Sequence, residues 1–244
     1  MATVTKTENE SKGLEVREGR TELIVPHLGE RLVFVYPAKG PDTYFRIAEQ
    51  LQETGLQQPT MEETASLVYA AWQNPDNKYS RDIIKKLKDF QLWGFTGILY
   101  VPDEGAYIQD NPEVREGRIY MDKEALEKRL KKGDSRVRYV ESGAYRTGQQ
   151  SGFNLERNQF VQALAGKEGA KKLAEVASKY RYSPYLVLEN TIEESTAVSA
   201  LEVAQLYSYS SGWLDSGLQV LCCSEAGLGF AFGVSRRKSG LPAR

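Results

Sequence analysis

One histidine, His27, and two adjacent cysteines, Cys222 and Cys223, are all the imidazole and thiol that 244 residues supply, the groups on which most zinc sites and every Ser-His-Asp triad depend. A zinc or iron–sulfur centre needs several such ligands at workable spacing, so no metal site is expected. Adjacent Cα atoms stand about 3.8 Å apart, closer than ordinary disulfide geometry accepts. The two thiols therefore read as small apolar residues on opposite faces of a strand. His27 falls in the turn sequence Pro26-His27-Leu28-Gly29, where a polar ring is expected to meet solvent.

Other absences narrow the class further. No run approaches the roughly eighteen apolar residues of a membrane helix, and the first residues carry no signal-peptide core, so a soluble, cytoplasmic protein is expected. Lys plus Arg total 32 against 33 Asp plus Glu, a formal net charge of -1 that offers no overall field for gathering polyanions. Nucleic acid is thus an unfavoured partner, and any basic site must be local. No dinucleotide or P-loop glycine spacing occurs, and no cofactor is expected.

What is present suits a globular fold, since 41% apolar residues suffice for a substantial core. Residues 1–19 are polar and charged and read as a flexible arm, 20–235 as one domain, and 236–244 as a basic flexible tail. Leu23-Ile24-Val25 and Leu32 to Tyr36 flank a turn and predict a hairpin. Tyr44, Ile47, Ala48 and Leu51 recur at helical spacing with Gly55 as a stop. Thr60 and Glu63 form a capping box before a second helix, and a third is expected from about Arg81 to Phe90. Together these suggest a helical subdomain over 42–91.

Further along, Thr96–Val101 and Ala106–Ile108 predict a second hairpin, and Asp122 caps a short helix that Gly133 ends. Arg136–Val140 alternates as an exposed strand would, and helices follow over about 155–165 and 168–180. Tyr185–Leu188 is a buried strand, 196–209 reads as a strand although its periodicity is mixed, and 218–223 with 229–234 suggest a last hairpin. Strands that arrive in hairpins and helices that arrive in groups predict an α+β fold, with a largely antiparallel sheet and helices packed on it.

The leading site is the long loop Glu141–Phe153. Loops of this length inside a compact domain often carry function. Arg146, Thr147, Gly148, Gln149, Gln150, Ser151 and Gly152 combine a guanidinium, hydroxyls, amides and glycines just before a helix that Asn154 would cap. Such a group suits a phosphate or carboxylate. The function expected is binding of a small anionic ligand or a protein partner. An enzyme working without histidine, through carboxylates such as Glu189, Glu193, Glu194 and Asp215 or through tyrosine, is the alternative. A second alternative is single-stranded nucleic acid on a local patch of Lys132, Arg136 and Arg138 with Tyr139 and Tyr145.

Overall fold

The computed structural model describes residues 14–17, 22–188, 200–208, 210–211, 214–215, 217–223 and 227–235. The expected basic tail and Glu189, Glu193 and Glu194 lie outside these residues, as does the expected arm apart from 14–17. In chain order the elements begin with β1 (Glu15–Arg17), β2 (Glu22–His27), β3 (Glu30–Val35), β4 (Lys39–Asp42), α1 (Tyr44–Glu53), α2 (Met61–Gln73) and α3 (Lys78–Asp89). Next come β5 (Gln91–Val101), β6 (Gly105–Asp110), β7 (Glu113–Arg115), β8 (Arg118–Tyr120), α4 (Lys123–Lys131), β9 (Val137–Glu141) and β10 (Gly148–Gln149). The chain continues through α5 (Gly152–Arg157), α6 (Gln159–Ala177), β11 (Tyr185–Leu188), β12 (Ala200–Tyr207), β13 (Ser210–Ser211), β14 (Leu214–Asp215), β15 (Gln219–Cys223), β16 (Gly229–Ala231) and β17 (Val234–Ser235).

The fold is α+β with mostly antiparallel pairing. One sheet runs β1-β2-β3-β17 and the larger runs β10-β11-β15-β12-β5-β16-β4, with β6 pairing β5 and β9 pairing β6. Leu14 is buried and β1 pairs with β2, so this part of the expected arm is an edge strand. The last two apolar runs do not form a hairpin with each other. β15 lies between β11 and β12, whereas β16 lies between β5 and β4 and β17 joins β3. Apolar alternation marks a strand without naming its partner.

β5 organises both cores. Successive side chains of a strand point to opposite faces. Leu92 and Ile98 accordingly enter one core with α2 and α6, while Trp93, Phe95, Leu99 and Val101 enter a second with α1 and α4. The helices expected to form one subdomain are thus divided across the sheet, α1 on one side and α2 with α3 on the other. Gly94 is required where α2 crosses, because a Cβ there would stand 2.8 Å from the Met61 Cα.

Opposite the Val203–Ala204 step, β5 carries two extra residues, since Val203 faces Gly97 and Ala204 faces Gly94. An insertion of two leaves the alternation of faces intact. Its backbone groups bond outside the ladder: Phe95 N–H donates to the Pro59 carbonyl at 2.7 Å, and Asn111 N–H donates to the Phe95 carbonyl at 2.8 Å. Thr96 adds a side-chain clasp, its Oγ1 accepting from Met61 N–H at 3.1 Å and donating to Asp110 Oδ1 at 2.9 Å.

Helix ends follow local chemistry. The Thr60–Glu63 capping box forms, and Asn77 and Asp122 cap α3 and α4. Asn154, expected as a cap, instead lies within α5, which Ser151 caps, and Asn158 caps α6. Gly166, at φ 69°, kinks α6; a Cβ there would meet the Glu62 carboxylate at 2.0 Å.

Replacing Thr96 with Val preserves the volume but strands the Met61 N–H in the core. We expect a loss of about 1–3 kcal/mol in urea unfolding, the cost of an unsatisfied buried donor. An unchanged unfolding midpoint would show that the clasp contributes nothing.

Candidate functional site

The expected loop is tied into the fold by its own polar groups. Gly143, at φ 82°, turns the chain after β9, and Tyr145 packs against Phe160 with ring centroids 5.0 Å apart. Burial pushes the Tyr145 phenol up to about 12, with smaller contributions from Tyr100, Cys222 and Glu202. The Arg146 carbonyl accepts from Gln150 Nε2 and from Asn158 Nδ2, both at 2.7 Å. Gly148 and Gln149 form β10 against β11, and Gln150 N–H donates to the Pro184 carbonyl at 2.9 Å. Ser151 accepts from Asn154 N–H, and Gly152 lies close to the Ala174 carbonyl.

Gln150 is buried, whereas the Arg146 and Thr147 side chains are exposed. None of these residues lines the cavity described below. The glycines and amides that suggested an adaptable cradle therefore hold a short strand and a six-residue helix in place. A glutamine just before a helix cap reads the same in sequence whether it points outwards or inwards.

The basic patch is largely compensated. Arg136 and Arg129 both bond Asp134, which these arginines hold well below the usual carboxylate range. Arg138 pairs with Asp110 through both guanidinium nitrogens, one contact being 2.7 Å. Tyr139 is exposed, its hydroxyl donating to the Glu104 carbonyl at 2.7 Å. Arginines already paired with carboxylates release few counterions on meeting a phosphate.

A different group of residues meets on a cavity of about 400 Å³ between the β2–β3 turn, α2 and α6. Its walls are Pro26 to Gly29 from the turn, Tyr69 and Ala70 from α2, and Glu168 and Lys172 from α6. Behind the wall lies Ser66, 1% exposed. Its Oγ lies 2.9 Å from Lys172 Nζ and 2.9 Å from His27 Nδ1, and 3.1 Å from the Glu62 carbonyl of the preceding turn. A hydroxyl has one hydrogen and two lone pairs. With the hydrogen on the Glu62 carbonyl, both lone pairs accept, so Lys172 and His27 each donate. This bonding pattern assigns the His27 proton to Nδ1 and leaves Nε2 as a bare acceptor.

Burial, reinforced by Lys172, lowers the His27 pKa to about 4, so the ring is neutral at pH 7. Burial also lowers Lys172, against the opposing pull of Glu168 and Glu62. Glu168 and Lys172 stand one turn apart on α6, on the same helix face. Tyr69 directs its hydroxyl to Glu175 at 3.0 Å. At the rim, Leu28 and Gly29 have φ values of 48° and 80° and form a turn with both central residues left-handed. Leu28 is 56% exposed, an apolar residue held in an unfavourable conformation at the cavity mouth.

His27 thus departs from the solvent-facing role expected of a turn residue. Ser66 and Lys172 were not legible as a pair, being 106 positions apart. The available signals were faint: a serine on the buried face of α2, and a lysine beside the Ala170, Leu173, Ala174 stripe of α6. Among the described residues no His, Cys, Asp and Glu set could hold a metal, and no helix is long and apolar enough to cross a membrane. Comparison with known proteins returns no matching family model, no matching curated protein and no matching solved structure, so the reading of the site rests on its geometry.

The His27 shift carries a pH signature. Between about pH 4 and 6.5 the unfolded chain binds a proton that the folded ring refuses, so stability contributed by this residue rises with pH across that window. It is fully present above 6.5 and lost as the pH falls towards 4. Urea midpoints of wild type and His27→Gln should therefore diverge as pH is raised from 4 to 6.5, then run parallel. Parallel profiles throughout would show that His27 titrates as an exposed ring.

Proposed function

We propose that the protein is a binding module for a small polar ligand with an anionic group, taken up in the cavity beside His27. The observation that carries this reading is Lys172, a half-buried cation on the wall of a 400 Å³ cavity, held from behind by the Ser66 hydroxyl. That volume is within the range of small-molecule sites, which typically combine apolar walls with a few placed polar groups. Lys172 donates one N–H to Ser66 and keeps two donors for a carboxylate or phosphate. The bare His27 Nε2 and the Glu168 carboxylate accept, which favours a ligand that also bears a hydroxyl or amine. Hydroxy acids, amino acids and sugar phosphates fit this pairing.

Arrangement of a serine beside a lysine and a histidine also suggests acyl transfer, but burial argues against it. A nucleophile must reach its substrate, and Ser66 is 1% exposed with its lone pairs engaged. Here its oxygen positions the two side chains that face the cavity.

A thermal-shift panel of hydroxy acids, amino acids, sugar phosphates and nucleotides tests the reading on wild type, Lys172→Ala and Arg146→Ala. Loss of the Lys172 charge-assisted bond, about 1.5–3 kcal/mol, should weaken binding some ten- to a hundredfold. Arg146→Ala should respond as wild type does. Loss confined to Arg146→Ala would return the site to the 143–152 loop, and equal responses from all three proteins would remove both.

A further inference from the structure

We propose that Lys172 is a covalent carbonyl-binding residue, its Nζ condensing reversibly with the aldehyde or ketone of a small molecule in the cavity. The inference rests on the cavity being the ligand site, as proposed above, and adds a bond-forming step there. Three features of the geometry support it. First, Lys172 lines an open-mouthed cavity of about 400 Å³, where a small carbonyl compound can be held beside its side chain. Second, its partner at 2.9 Å is a hydroxyl, and no carboxylate among the described residues pairs with it. A hydroxyl bonds an amine in either protonation state, whereas a carboxylate would favour the ammonium alone.

Third, a neutral imidazole and a carboxylate stand on the same wall. His27 Nδ1 and Lys172 Nζ share the Ser66 oxygen, which places them within two hydrogen-bond lengths of each other, and Glu168 lines the same wall. The burial that lowers the Lys172 pKa, despite Glu168 and Glu62, enlarges the fraction of free amine that can attack.

The reaction balances without any redox partner. The Nζ lone pair attacks the carbonyl carbon, a C–N bond forms, and the carbon–oxygen π pair moves to oxygen. The nitrogen sheds a proton and the oxygen takes one up, with His27 on the same wall as a proton carrier, giving a carbinolamine. A second proton on that oxygen lets the nitrogen lone pair expel it as water, and the resulting iminium gives up its N–H proton, with Glu168 as the carrier that delivers the one and takes back the other. The products are an imine on Lys172 and one water; hydrolysis runs the same path backwards.

Lys171, exposed and adjacent on the same helix, supplies an internal reference within one protein. Full-length protein is treated with cyanoborohydride and either glyoxylate or the uncharged glycolaldehyde, and reduced adducts are mapped by peptide mass spectrometry. With short exposure at neutral pH we expect severalfold more adduct on Lys172 than on Lys171, because the cavity holds the aldehyde beside the Lys172 side chain. Adduct on Lys172 equal to or below that on Lys171, with both aldehydes, overturns the inference. The two proposals separate cleanly in the arms. Labelling of Lys172 by both aldehydes with no anion bound in the thermal-shift panel removes the anionic-ligand reading alone. Anions that bind through Lys172 while neither aldehyde labels it preferentially remove the covalent step alone.

Discussion

A helix buried on nearly every side must find partners for its polar side chains among its neighbours, and α2 is such a helix. Met61, Ala65, Leu67, Val68, Ala70 and Ala71 are all buried, and with them the hydroxyls of Thr64 and Ser66. Leaving a buried hydroxyl unmet costs about 1–3 kcal/mol, comparable to a sizeable share of a domain's net stability. Thr64 meets the need through the Trp93 carbonyl of β5. Ser66 donates to the Glu62 carbonyl one turn back and accepts from Lys172 of α6 and His27 of β2, and so ties three separate elements to one oxygen.

The rest of the architecture keeps those elements in register. β5 is buried on both faces and anchors α2 through Gly94, Thr96 and the Pro59 carbonyl. The kink at Gly166 gives the Glu62 side chain room against α6, and Gly169 lets the helix approach Ala65 of α2. Lys172 and Glu168, both beyond the kink, are thereby carried onto the cavity wall. On the other side the β2–β3 turn contributes His27 and the exposed Leu28.

Charge alone is a poor guide to the site. Of the basic patch expected from the sequence, Arg136 and Arg138 are engaged by Asp134 and Asp110. Arg146 projects from a loop whose carbonyls and amides are occupied by Gln150 and Asn158. Lys172 combines, among the described residues, bonding to a hydroxyl with partial burial in a way that suits a ligand. Enclosure strengthens an electrostatic contact far more than local density of charge on a solvated surface.

Local chemistry was legible in the amino-acid order. The capping box at Thr60 and Glu63, the Asp122 cap and the turn between β2 and β3 each follow from side chains only a few residues apart, as does the α+β class with mostly antiparallel sheets, whereas the mixed periodicity before Tyr207 marked the strand at Ala200–Tyr207 only weakly. Pairing over long separations was not. Gly229–Ala231 has the same alternation whether it folds back on β15 or inserts beside β5, and only the competition for a common core places it at β5. The same limit applies to the site. A serine at 66, a lysine at 172 and a histidine at 27 carry no mutual signal in the chain; they converge because α2 is buried, and a buried hydroxyl must be met by whatever side chains the packing brings to it.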